Sequence, residues 1–457
     1  MSTPSSARTA AVIGAGQIGV TAALGLLDAG FEVTLYSERD QRTLRDGVPP
    51  TGTVLILGDP LAAEAALGLD SYLGRAPHHT GLTARVVGPD GSPALQFDSA
   101  FDGFVGVGVD IRLKADDRLT LFRQRGGRFV VDKVDVDKLD SIAATSDLTL
   151  VSTGRGGLAD LFAIDATRTP YGAPQRTVIN VIATGLTHGP EVFSNRSPAG
   201  GTRSAFTIVS DQGEGWWGPF LHKDVGPSWS FIGWGKPGSD WERRISAADS
   251  ADSALQIVLD FYRDYAPWDL PELLQLRSIA DIDPFSWSKG AVRPAVRAGS
   301  AVTASGHTVA SLGDTSAAFD PISGQGAQTG LLQTRRLISA AAKHNGPFDT
   351  AWLDVQYAEH LATRTDGAVR FQQLFLGDPE LAYISEPFFA AAAVSPVFAS
   401  AIGGLINNPQ PLLDINSPGD VLDYIRAVTG ADPEQLLANF APPAGFTTSP
   451  PAPSAVA

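Results

Sequence analysis

Thr9 to Gly19 reads Thr-Ala-Ala-Val-Ile-Gly-Ala-Gly-Gln-Ile-Gly. A short apolar strand runs into three glycines spaced G-x-G-x-x-G, and Val20 to Ala29 continues with helical periodicity. Each glycine has its own task in this arrangement. Gly14 makes the tight turn, Gly16 lets the backbone approach a pyrophosphate, and Gly19 lets the helix pack on the strand. With Phe31 to Tyr36 as a second strand, the pattern predicts a dinucleotide-binding βαβ unit and an α/β fold. An acidic residue usually closes that second strand and takes the ribose hydroxyls about 20 residues past the glycines. Ser37 falls at this position and Glu38 at the next. Either the carboxylate reaches across from one residue on, or the ribose is held weakly; an exposed Glu at a strand end is the plain alternative.

Gly313 to Gly330 carries the complementary signal. The apolar run His307 to Leu312 reads as a buried strand, and Ala327 to Ala342 reads as a helix. Asp314 at the strand end suits a polyol hydroxyl. Gly324 and Gly326 allow backbone amides to approach a planar or anionic group. Ordinary glycine punctuation between strand and helix is the alternative on this stretch alone.

In between, Leu44 to Thr53 reads as a loop carrying Arg45 and Thr53. Asp110 suits a helix N-cap for a helix running through Leu121. Phe129 to Val134 and Asp147 to Gly154 read as further strands. From Pro174 to about Asp283 the pattern becomes alternating, notably Thr177 to Thr184 and Ser228 to Gly233, followed by an amphipathic helix over Ala251 to Tyr265. That predicts a mostly antiparallel sheet inserted in the nucleotide-binding unit. The chain is expected back in the first unit over Lys289 to Val302. Trp216, Trp217, Phe220 and Trp234 in the insert suit an apolar substrate pocket, with core packing as the other use.

The expected organisation is therefore a discontinuous nucleotide-binding domain (1–173 and 284–345), an inserted substrate-binding domain (174–283), a C-terminal helical region (346–440) and a disordered tail (441–457). The chain has 457 residues, no cysteine and a net charge of −15. No disulfide can form, and the acidity argues against nucleic acid and anionic membranes as partners. Pro387 to Ile406 is uncharged, but Pro396 and Gly403-Gly404 interrupt it, so it reads as a buried pair of helices. Met1 to Arg8 is short and Ser-rich and reads as no signal peptide; the expected location is the cytoplasm. Seven histidines lack ligand spacing, so no metal site is expected.

Several further motifs sharpen the reading. Val109-Asp110-x-Arg112, Arg125-Gly126-Gly127-Arg128-Phe129, Pro174-Gln175-Arg176, Val292-x-Pro294 and Asp320-Pro321-x-x-Gly324-Gln325-Gly326-Ala327 join the Gly14-x-Gly16-x-x-Gly19 start. Together, from about Ala10 to Gln328, the chain resembles the epoxidase component of two-component, FAD-dependent styrene and indole monooxygenases. The resemblance implies an FAD-binding fold of the aromatic-hydroxylase kind, with Gly14, Gly16, Gln17, Ile18 and Gly19 at the pyrophosphate. Asp314 would serve the ribityl or pyrophosphate region, and Pro321, Gly324, Gln325, Gly326 and Ala327 the isoalloxazine edge. Ser37, Glu38, Arg45, Val134, Thr153 and Gly154 complete the implied cofactor contacts.

FAD would arrive already reduced from a separate NADH-dependent flavin reductase, form a C4a-peroxide with O2, and epoxidise a small apolar aromatic alkene of styrene or indole type. The loop Gly324, Gln325 and Gly326 lies nearest that chemistry, which needs no side-chain acid or base. Around Gly52-Thr53 the styrene enzymes carry Asn-Thr, and through Tyr72 to His79 their pocket residues are not clearly matched, so the chain departs from the pattern in both places and the substrate stays open. A homodimer is compatible with the resemblance. Thr153-Gly154-Arg155-Gly156-Gly157 stands where enzymes that dock NADPH directly carry Asp-Gly. The alternatives are a single-component NAD(P)H-dependent aromatic hydroxylase and a non-catalytic flavin-binding sensor or carrier.

Overall fold

Residues 7–51, 55–88, 91–197 and 202–441 are described by a computed structural model. Thr53 and nearly all of the expected tail lie outside them.

Two large sheets organise the described residues, beside two small ones of two and three strands. The first has six strands in the order Ser300–Val302, Thr308–Ser311, Leu148–Val151, Thr9–Ile13, Glu32–Ser37 and Arg128–Val131. All its pairings are parallel except the outermost, Ser300–Val302 against Thr308–Ser311. Its central strands are apolar because helices cover both faces. The first helix spans Gln17–Asp28, so it begins inside the glycine motif, three residues before its periodicity becomes legible. The strand expected over Phe129 to Val134 ends at Val131, because only Arg128 to Val131 find partners on Glu32–Ser37.

Three helices are locked together behind the motif by buried charge. Glu64 accepts from Lys114 Nζ at 2.9 Å and from Arg118 Nη2 at 2.6 Å, while Arg118 Nη1 donates to Thr21 Oγ1 at 2.7 Å. With all three side chains out of water, removing one partner of such a cluster costs about 3–5 kcal/mol. Gly14 to Gly19 thereby sits on a rigid support.

The second sheet is antiparallel in all but one pairing, and it recruits more of the chain than the interval 174–283. Its strands run in the order Arg277–Ser278, Thr177–Thr184, Gly226–Gly235, Gly213–His222, Arg203–Val209, Gly81–Val87 and Pro93–Ala100. Gly81–Val87 joins parallel to Arg203–Val209. Trp287–Ala291 pairs with Thr177–Val181, so the chain leaves this sheet only after Ala291, later than the expected return at Lys289.

One face of the sheet carries the helix Ala251–Tyr265 over Trp217, Phe231 and Trp241. The other face receives the C-terminal helices, among them Asp366–Leu376, Ala382–Val394 and Pro396–Asn407. The uncharged stretch 387–406 is thus a helix pair buried against the sheet. Among the described residues no helix is long and apolar enough to cross a membrane.

Candidate active site

A cavity of about 830 Å³ runs between the two sheets, toward the upper end of the roughly 300–1,000 Å³ usual for ligand sites. Its polar end is lined by Gly14, Gly16, Gln17 and Ile18, by Ser37, Glu38 and Val134, and by Thr153 and Gly154. Asp314 and the segment Pro321 to Ala327 line its middle. Its far end is an apolar chamber formed by Leu82, Phe206, Trp216, Ile232 and Trp234 from the sheet and by Phe371, Phe375 and Ile406 from the C-terminal helices.

The glycines behave differently at close range. A Cβ on Gly14, whose φ is +109°, would lie 2.2 Å from the carbonyl oxygen of Ser152, and one on Gly19 would lie 1.9 Å from that of Gly14. These two positions pack backbone on backbone. Gly16 differs, since a Cβ there meets no heavy atom within 4 Å. It caps the first helix with no side chain bonded to that helix start, so the positive end of the helix opens on the cavity. Buried Gln17 Nε2, on the same wall, has no hydrogen-bond partner. This combination fits a diphosphate: an open approach, a helix N-terminus and an idle donor.

Farther along, Gly324 is left-handed at φ +61° and again has nothing within 4 Å of a notional Cβ, a cradle that suits a flat group. Asp314 is open to the cavity yet enclosed by protein otherwise, and that enclosure raises its pKa, against the pull of Arg155. The Gln325 side chain is anchored elsewhere: Nε2 donates to Ile406 O at 2.9 Å and Oε1 accepts from Arg364 at 2.6 Å. Its amide is therefore not available to a ligand.

Four expected site residues are not brought to the cavity: Gly19, which packs on Gly14 and does not line it, and three others. Arg45 lies on a short helix and is held by Asp46, by Asp224 at 2.8 Å and by Asp116 at 3.5 Å. Trp217 follows Trp216 on one strand, so the pleat turns it to the opposite face, where it packs on Phe231 at 5.0 Å. Phe220 shares the face of Trp216 but stands four residues further, roughly 13 Å along the strand, and packs on Ile182 and Ile279.

Other lining residues went unread as ligands in the sequence. Arg112, legible only as part of a motif, is one; it donates to Asp110 at 2.8 Å, to Asp283 at 2.7 Å and to Val48 O at 3.2 Å. Burial opposes ionisation of Asp283, but hydrogen bonds from His222 and Arg112 outweigh it and hold the carboxyl below its usual range. Arg176 of the Pro-Gln-Arg motif pairs with Glu214 at 3.0 Å and donates to Leu376 O at 3.3 Å. It ties the sheet to the helix bearing Phe371 and Phe375.

Residues 154–271 match the family described as "Styrene monooxygenase A putative substrate binding domain". The chain is 25% identical over 364 residues to styrene monooxygenase StyA of Pseudomonas sp, spanning 78% of this chain and 81% of the relative. The chain is related to the styrene monooxygenases. In class it is a flavin-dependent monooxygenase. Among solved structures, a flavoprotein/dehydrogenase from Cytophaga hutchinsonii aligns at TM-score 0.59 and 13% identity, covering 92% of this chain and 98% of that one. Klebsiella pneumoniae HpxO, complexed with FAD and uric acid, aligns at TM-score 0.52 and 14% identity, covering 93% and 98%. Both likenesses concern the fold.

Proposed function

We propose that this protein is the oxygenase of a two-component system: it takes up reduced FAD made by a separate NADH-dependent reductase and epoxidises a styrene- or indole-like double bond. The observation that carries the reading is the single cavity joining a diphosphate-suited glycine end to an apolar aromatic chamber. Bound reduced FAD supplies the electrons with which O2 gives one oxygen atom to the alkene and the other to water.

The residues of this chain then have four tasks. Gly16, Gln17 and Ile18 hold the diphosphate on the turn that Gly14 and Gly19 make possible, with Ser37, Glu38, Val134, Thr153 and Gly154 around the adenosine half. Asp314 binds the ribityl region. Pro321 and Gly324 to Ala327 seat the ring system through backbone groups. Phe206, Trp216, Trp234, Phe371 and Phe375 exclude water and orient the substrate's double bond. In this reading the sheet face and the C-terminal helices form one substrate compartment, and the cytoplasm, where reductase and NADH are at hand, is its place of action.

The test is to incubate the purified chain with NADH or NADPH and FAD alone, then to add an unrelated flavin reductase. Almost no pyridine nucleotide should be consumed in the first case, and epoxide should appear in the second. Fast NADPH oxidation by the chain alone, stimulated by a phenolic acid, would identify a single-component hydroxylase. Flavin binding with no oxygenation of any alkene would identify a carrier.

A further inference from the structure

The sheet wall of the apolar chamber contains one hydroxyl among its described residues, that of Ser204, set among Leu82, Phe206, Trp216, Ile232 and Trp234. Ser204 Oγ lies 2.7 Å from Nδ1 of His79, and His79 Nε2 lies 2.7 Å from the carbonyl oxygen of Pro219. A carbonyl can only accept, so Nε2 carries the ring proton and Nδ1 of the neutral imidazole is left as an acceptor. The serine therefore donates its only hydrogen to His79. What it has left for the chamber is lone-pair density.

The arrangement is built into the fold. His79 has no solvent exposure and stacks on Trp216, with ring centroids 5.7 Å apart and planes 3° from parallel. Two glycines leave room for its ring: a Cβ on Gly218 would lie 2.7 Å from His79 Cε1, and one on Gly108 3.3 Å from Nε2. Burial lowers the imidazole pKa to about 3, although the Pro219 carbonyl opposes it, so the ring is neutral at any working pH.

We propose that Ser204, oriented by His79, is a hydrogen-bond acceptor that selects aromatic substrates bearing a ring N–H or O–H over hydrocarbons of the same shape. This rests on the reading of the chamber as the substrate compartment. Ser204 would be the binding contact and His79 the positioning residue, because it decides which way the hydroxyl points.

Indole and indene are the matched probes. Both are fused six- and five-membered rings with a 2,3 double bond, and indene has CH2 where indole has N–H. Binding to the FAD-loaded protein is followed by calorimetry, and kcat/KM with FAD reduced by an unrelated reductase. One neutral hydrogen bond in a dry site corresponds to roughly tenfold, so the parent should favour indole over indene by about 10-fold in both measurements. Ser204→Ala should bring that ratio close to one, Ser204→Thr should keep most of it, and His79→Phe, which frees the hydroxyl to turn, should lower it. If Ser204→Ala does not fold, 1-methylindole settles the matter on the parent protein, where it should bind as weakly as indene. An unchanged ratio in Ser204→Ala, or 1-methylindole bound as tightly as indole, overturns the proposal. A calorimetric preference for indole with no oxygenation of either probe would uphold the Ser204 assignment and reject the oxygenase reading.

Discussion

Replacing Gly16 with valine separates the two tasks that the glycine motif performs. Gly16 has φ −71° and ψ 177°, an extended conformation open to any residue, and a Cβ there meets nothing within 4 Å. Gly16→Val should therefore fold with a stability within about 0.5 kcal/mol of the parent. Its side chain would stand in the approach to the helix start, where the diphosphate is proposed to lie. Losing one charge-assisted backbone contact is worth about 1.5–3 kcal/mol, which weakens flavin binding about 10- to 150-fold.

Gly14→Ala is the control with the opposite signature. At φ +109°, with a Cβ 2.2 Å from Ser152 O, the left-handed strain alone costs about 1–3 kcal/mol, and the clash adds to it. Thermal unfolding by circular dichroism and anaerobic titration with reduced FAD give the two readings. Gly14→Ala should lose melting temperature, and Gly16→Val should lose affinity only. The reasoning is refuted if Gly16→Val binds reduced FAD like the parent, or melts as early as Gly14→Ala.

Three further outcomes are expected. Because Ser37 stands where a ribose-binding carboxylate is usual, the protein should purify largely colourless, and stoichiometric yellow FAD surviving gel filtration would contradict this. Gly324→Val puts a branched residue at φ +61° in the proposed ring cradle, so oxygenation should vanish while the circular dichroism spectrum persists; parent-level turnover would remove this loop from the flavin. Burial raises the pKa of Asp320 to about 6, against the Ile322 amide and Arg176, and one of its carboxylate oxygens has no partner. A carboxyl raised on folding stabilises the protein below about pH 4 and loses that contribution as pH climbs through 6, so Asp320→Asn should be more stable than the parent at pH 7 by up to roughly 3 kcal/mol and equal to it at pH 3.5, as urea denaturation at the two pH values will show.

The nucleotide half was legible in the sequence because its determinants are local. Gly14 to Gly19 and Gly313 to Gly330 each specify strand, turn and helix start within a score of residues, and glycine is required there by backbone angles and close contacts that any sequence reader can infer. Alternation over Thr177 to Thr184 likewise announced a sheet. The chamber was not legible, because its walls come from places that no spacing rule connects. Leu82 joins through the parallel pairing with Arg203–Val209, and Phe371, Phe375 and Ile406 arrive with helices packed across the sheet. Strand register then decides by a single residue that Trp216 faces the cavity and Trp217 the opposite core. Arg45 was misread for a related reason: an arginine's partner is fixed by the nearest carboxylates in space, and folding brings Asp116 and Asp224 to it. Sequence alone thus determined the fold class and the glycine-lined end of the cavity. The shape of the apolar chamber, and the hydrogen bond that turns the Ser204 hydroxyl toward His79, were decided by which distant side chains the tertiary structure brought within a hydrogen bond or a van der Waals contact of one another.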